Sequence, residues 1–267
     1  MISRSRSSVD RTGSMFHWGL HVCGWGGLVF LIVPLMVATT ASFGDTHSLR
    51  FPPERWSVRW YQNLLTDKEW VASLTNSLTF GVCVASVSVF IGLAGAYGSL
   101  YVRRSLRMPL LFAFILPAVT PPVIIGVGQL LLFSRLGIID TALGVVISHV
   151  TLAFPFSFAV LLGAIGQQEL ELERIAMVYG ARRWYAFVKV TCPMIKRGLV
   201  GAFFLSFIVS FDEAVVVLYI VSHKARTLPR QIFDGLRYDL DPTVAAVAGL
   251  AMLLWIAAIA MLPRRHA

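Results

Sequence analysis

Charged residues are so unevenly spread along this chain that five long stretches carry none, at 12–44, 70–102, 108–134, 141–168 and 242–263. A sixth stretch, 198–221, is apolar except for Asp212 and Glu213. Each can supply the roughly 20 residues that, at a rise of about 1.5 Å, cross a hydrocarbon core of about 30 Å. The pattern predicts six spanning segments, near 18–41, 78–101, 109–133, 142–166, 198–221 and 243–262. Long apolar blocks favour helices, because backbone groups in lipid must be satisfied internally and a barrel would read as short alternating strands. The expected fold class is therefore all-α, a polytopic membrane protein with six transmembrane helices. A tail at 1–17 precedes the first helix, a loop at 42–73 follows it, and a core membrane domain at 74–262 contains a long polar segment at 167–197. Residues 263–267 form a second tail.

Composition agrees with the pattern. Apolar residues make up 57% of the chain and charged residues 14%, against about 45–50% and about 25% in soluble domains; the mean hydropathy is +0.72. Six spans put both termini on one side. That side, which also holds the loop after the second span and the segment 167–197, carries fourteen of the 23 Lys and Arg residues, and the opposite side carries nine. Excess Lys and Arg mark the cytoplasmic face, so both termini and 167–197 are expected in the cytoplasm. The net charge of +9 is accounted for by this topology, which leaves no ground for a nucleic-acid partner. Residues 3–11 are basic and resemble the start of a secretory signal, but the apolar run behind them exceeds the usual 7–15 residues and reads as an uncleaved anchor.

The sequence offers little catalytic chemistry. Cys23, Cys83 and Cys192 have no metal or pairing spacing and read as reduced packing residues. His17 and His21 share a helix face, but no acidic ligand accompanies them, so packing is favoured over a metal site. His149, alone in the fourth span, lacks a nucleophile or metal cluster beside it. No Gly-Lys dipeptide occurs, which excludes a phosphate-cradling loop of the G-x-x-x-x-G-K type. Any ATP used must be bound by another chain.

Three segments carry more information. After Pro52 and Pro53, the residues Trp56, Trp60, Tyr61, Leu64 and Leu65 fall on one helical face, as in an interfacial elbow lying on the bilayer; a docking surface is the alternative. The third span contains Pro117, Pro121 and Pro122, which make either a packing kink or a bend lining a path through the membrane. The segment 167–197 opens with Glu169, Glu171 and Glu173, suited to a helix N-terminus. Leu172, Ile175, Ala176 and Tyr179 follow at helical spacing. Gly180 then ends this helix. A second, from Ala181, carries Trp184, Phe187 and Val188, and Pro193 suits the first turn of the next span.

This last segment resembles the cytoplasmic signature of the inner-membrane permease subunits of binding-protein-dependent ABC importers: Glu-Ala-Ala, three residues, Gly, and a Pro about thirteen positions later. Gly180, Ala181 and Pro193 match, with Phe187 and Val190 at apolar positions between them. The head of the motif departs, reading Arg174, Ile175 and Ala176, with Glu173 one place early. W-S-V-R-W-Y-Q-N-L-L, T-N-S-L at 75–78, the L-P-x-x-x-P-P run and S-F-D-E at 210–213 are similar to the spermidine/putrescine-type branch. The resemblance covers roughly 55–260. It implies a transport subunit of a bacterial inner membrane that is not itself an enzyme. Its partners would be two cytoplasmic ATPase subunits holding ATP and Mg, a second permease and a periplasmic substrate-binding protein. Glu173, Ile175, Ala176, Gly180, Ala181, Phe187 and Pro193 would form the ATPase-coupling loop.

Asp212 and Glu213 are the remaining chemistry. On a continuous helix ending at Val221, Asp212 would lie about 13 Å deep, where an acid costs on the order of 2.5–3.5 kcal/mol and so faces a bundle interior, a partner or water. Successive helical residues differ by about 100°, so one carboxylate faces a conduit while the other pairs with an adjacent helix. Together with Pro117 and Pro121 they are the expected substrate path, with a polyamine or another aminated solute as cargo. A purely structural pair, and a stand-alone secondary transporter using the acids as an ion or proton site, are the competing readings.

Overall fold

The computed structural model describes residues 7–46, 50–239 and 241–261; residues 1–6 and 263–267 of the expected tails and residue 262 of the expected last span lie outside it. Apart from one isolated bridge between Gly44 and Trp56, the described residues are helical or loop. The chain divides into two units, 1–67 with 235–267 and 68–234.

In the first unit, α1 (Ser7–Ala41) begins inside the segment expected to be a tail. With α2 (Arg59–Thr66) and α13 (Thr243–Met261) it forms a small cluster. The segment expected to be an elbow contains the helix α2, and its face is divided: Trp60 and Leu64 are buried in the unit, while Trp56 and Leu65 are exposed. Polar ties explain why the face turns inward. The Tyr61 hydroxyl meets Ser42 Oγ at 2.7 Å, and Asn63 Nδ2 donates to Thr243 Oγ1 at 2.9 Å. A Cβ at Gly249 would strike the Tyr61 hydroxyl, so only glycine admits this approach.

The second unit is built on α3 (Lys68–Ser99), α6 (Ala142–Ala164) and α10 (Lys196–Phe211), which pack side by side. Small residues set the spacing: a Cβ at Gly92 would lie 2.6 Å from Ser157 Oγ, and one at Gly81 would lie 2.7 Å from the Phe207 ring. Small residues let backbones approach where no aqueous hydrophobic force drives helices together. Two polar bonds cross the contact. Ser157 Oγ of α6 donates to the Ser88 carbonyl of α3 at 2.7 Å, and His149 Nδ1 lies 2.9 Å from Ser210 Oγ of α10.

Two expected spans are broken. The third is two helices, α4 (Arg104–Val119) and α5 (Pro122–Leu136), bent by 95°. Each proline drives its predecessor out of the helical region, and tandem prolines do so twice. Thr120 and Pro121 accordingly have ψ near 130. The fifth, expected to run to Val221, stops at Phe211; within it only the short α11 (Val217–Ile220) follows, and α12 (Leu228–Asp234) comes later in the chain. Asp212 and Glu213 therefore stand at and beyond the end of α10, not inside an unbroken helix with the depth and the facing, about 100° apart, that such a helix would give them.

By length and composition, three helices can cross a membrane, Trp18–Ala41, Lys68–Ser99 and Ala142–Ala164, and up to five can if each of two bent pairs, Arg104–Val119 with Pro122–Leu136 and Arg183–Met194 with Lys196–Phe211, is one crossing. The described apolar part of α13, Thr243–Leu253, is shorter than a full span.

Candidate functional site

The two breaks meet. Where α4 gives way to α5 and α10 ends, a cleft of about 310 Å³ opens, lined by Pro117, Ala118, Thr120 and Pro122 on one side. Ile208, Val209, Asp212 and Glu213 form the other side, and Leu152 and Phe156 of α6 complete the wall. Pro117 and both acids thus line one cleft. Pro121 instead supplies the N-cap residue of α5, and Pro122 takes its place in the wall.

The adjacent acids do different things. Glu213 Oε1 accepts from the amides of Val215 at 2.7 Å and Val216 at 2.8 Å, organising the turn that leads into α11. Its partners are backbone amides of its own segment of chain, not a basic or polar group on an adjacent helix as expected for one of the two acids. Asp212 is exposed in the cleft, and its carboxylate has no hydrogen bond or ion pair among the described residues. The break in the helix explains this freedom: at the end of α10 the Asp212 amide still bonds the Ile208 carbonyl while its side chain points clear.

At the other end of the unit, α7 (Gln167–Val178) closes in a Schellman motif, with Gly180 N–H donating to the Met177 carbonyl and Ala181 N–H to the Ala176 carbonyl. Gly180 has φ 93, a left-handed conformation that suits glycine. The chain stays extended through Arg182, so α8 starts at Arg183 (Arg183–Ala186) rather than Ala181. A π-helical turn, Phe187–Thr191, and α9 (Cys192–Met194) follow. Pro193 therefore sits in α9, and the next long helix begins at Lys196. Ile175 is exposed, together with Val178, Tyr179 and Trp184, which leaves a broad apolar surface on this turn.

Glu173 is the surprise. Its sequence position groups it with the acids of the helix N-terminus, yet it lies mid-helix and is only 1% exposed. Its carboxylate accepts hydrogen bonds from the hydroxyls of Tyr97, on α3, and Thr191, on the π-helical turn. The Tyr97 ring packs edge-on against Phe187 at 4.7 Å, and the Arg183 guanidinium lies 4.1 Å over Tyr101. Sequence reasoning missed Tyr97, Tyr101 and Thr191; the one available signal was a pair of tyrosines four residues apart, one in the last turn of α3 and one just beyond it.

Residues 88–264 match the family described as the binding-protein-dependent transport system inner membrane component. The chain belongs to this family. It is thus a multi-pass inner-membrane permease subunit of an ABC importer, not an enzyme, with ATP hydrolysis in a separate subunit. Among similar proteins, the putrescine transport system permease protein PotI of Escherichia coli K12 is 29% identical over 85% of this chain and 83% of its own. The spermidine/putrescine transport system permease protein PotC of Haemophilus influenzae is 22% identical over 87% of this chain and 90% of its own. The crystal structure of a bacterial ABC transporter involved in import of the acidic polysaccharide alginate matches with TM-score 0.73 and 17% identity, covering 98% of both chains. A crystal structure of a bacterial alginate ABC transporter in complex with alginate pentasaccharide-bound periplasmic protein matches with TM-score 0.63 and 18% identity, at the same coverage. These two likenesses establish the family fold.

Proposed function

We propose that this permease forms part of the transmembrane path of an ATP-driven importer for a polyamine of the putrescine or spermidine type. The observation that carries the reading is the unpartnered Asp212 carboxylate in a cleft whose wall is otherwise mostly apolar side chains and prolines, with Thr120 and Glu213 as its other polar members. A polyamine alternates ammonium groups with methylene segments. The carboxylate offsets part of the desolvation of one ammonium, and the apolar walls accept the methylenes. The names of PotI and PotC support the same solute class.

In this reading the six crossings are α1, α3, the broken pair α4 and α5, α6, α10 with α11, and α13. Both termini and the segment 167–197 face the cytoplasm, as the Lys and Arg excess requires. The apolar surface of Ile175, Val178, Tyr179 and Trp184 is the seat for a cytoplasmic ATPase. Two such subunits bind ATP and Mg, a second permease completes the path, and a periplasmic binding protein delivers the solute.

Uptake of radiolabelled putrescine and spermidine, measured in the native bacterium carrying wild type, Asp212→Asn or Glu213→Gln, tests the proposal. Wild type accumulates polyamine, and Asp212→Asn lowers the rate about tenfold, the effect of losing roughly 1.4 kcal/mol. Glu213→Gln also lowers it, and both variants remain assembled with their partners. Unchanged uptake in both variants contradicts the assignment of the cleft, and polyamine uptake that survives deletion of the chain contradicts the choice of solute.

A further inference from the structure

Glu173 is walled in. One residue on, at the position where the resembling motif carries its acid, stands Arg174, which is exposed. A step of one residue turns a helix by about 100°, so the two side chains leave α7 on different faces. Arg174 faces outward, and Glu173 faces the end of α3.

We infer that Glu173 acts inside this chain, as the joint through which movement of the 167–197 segment reaches α3, and not as a contact for the ATPase; the inference rests on the permease reading above. Three elements converge on its carboxylate: α7 supplies the acid, α3 supplies the Tyr97 hydroxyl, and the π-helical turn supplies the Thr191 hydroxyl. The aromatic contacts stiffen the same place. Tyr97 stands against Phe187, Phe187 lies 5.8 Å from Trp184, and Arg183 lies over Tyr101. Trp184 is 74% exposed, so one chain of contacts runs from the apolar docking surface through Phe187 and Tyr97 into a membrane helix. Ala96, beside Tyr97, and Ala186, beside Phe187, are both fully buried. A group 1% exposed cannot touch a partner without the joint being unpacked.

Glu173 is therefore a positioning residue, and its loss reads out as uncoupling rather than as dissociation. The test uses the whole importer purified from native membranes and reconstituted in vesicles, comparing wild type with Tyr97→Phe and Thr191→Val. Each variant removes one hydroxyl and keeps the surrounding shape, and Glu173→Gln, which retains an acceptor oxygen, serves as the conservative variant. Solute transported per ATP hydrolysed falls about fivefold in Tyr97→Phe and Thr191→Val and less in Glu173→Gln, with the ATPase content of the complex unchanged. An unchanged ratio, or loss of the ATPase from the purified variants, overturns the inference. A wild-type complex without any ATPase strikes the permease reading itself and takes this inference with it, whereas an intact complex with an unchanged ratio strikes this inference alone.

Discussion

Two carboxylates fasten the chain just beyond the two ends of α6, with opposite kinds of donor. Asp140, two residues before the helix, accepts from the backbone amides of Ser222 at 3.0 Å and of His223 and Lys224 at 3.1 Å each. Its own amide donates to the Ile220 carbonyl at 2.9 Å, and its φ of 57 places it in the left-handed region. Glu173, beyond the other end, takes hydroxyls from two separate elements. Amide donors belong to the backbone, so the Asp140 clasp holds one loop in one shape. Hydroxyl donors ride on side chains of elements that can shift, so the Glu173 joint can pass a displacement on. The difference is between a fixed end and a transmitting end of the same three-helix core.

The sharpest way to break the comparison is Asp140→Ala, which strands the four amides of Ser222, His223, Lys224 and Ala225 and puts alanine in a left-handed conformation. Thermal unfolding in detergent is expected to show a loss of about 2–4 kcal/mol, with Asp140→Asn losing roughly half as much because asparagine keeps one acceptor oxygen and tolerates that conformation. Gly180→Val comes next. An added Cβ there meets nothing within 4 Å, so the cost is conformational, about 1–2 kcal/mol, and faster hydrogen exchange confined to 176–185 is the expected reading. Tyr97→Phe is expected to cost about 1 kcal/mol in the same unfolding experiment, since the ring contact with Phe187 survives. A loss from Tyr97→Phe as large as that from Asp140→Ala would erase the distinction between the two ends.

The smallest effect concerns pH. Burial pushes the Asp140 carboxyl up, but the amides of His223, Lys224, Ser222 and Ala225 outweigh it and hold it below the ordinary carboxylate value. A depressed acid contributes stability that is present above its unfolded pKa, about 3.9, and is lost as pH falls through the folded value. The stability difference between wild type and Asp140→Asn is thus expected to stay flat from pH 7 to about pH 5 and to shrink below about pH 4. A difference that shrank between pH 7 and pH 5 would exclude Asp140 as its source.

Legibility in the sequence followed how local each cause was. The helices at Trp18–Ala41 and Ala142–Ala164 stand where uninterrupted apolar runs put them. The turn at Gly180 was readable because a left-handed C-terminal residue is a glycine's place. The Pro121-Pro122 pair signalled a bend, though its 95° size comes from two successive extended residues rather than one kink. The end of α10 was not readable, since S-F-D-E looks like a helix interior until Glu213 is seen to bond the amides of Val215 and Val216. Least visible were the long-range partners: the amides that hold Asp140 begin 82 residues further along, and Thr191 meets Glu173 only after the chain has reversed at Gly180.

The central claim is that this chain works as an ABC permease whose 167–197 segment seats an ATPase. Its most direct test is affinity purification from mild detergent, with the accompanying proteins identified by mass spectrometry, for wild type and Gly180→Trp. The account predicts an ATPase subunit and a second permease with wild type, and loss of the ATPase in the variant. Wild type purified without an ATPase, or a variant that retains it in full, would contradict the account.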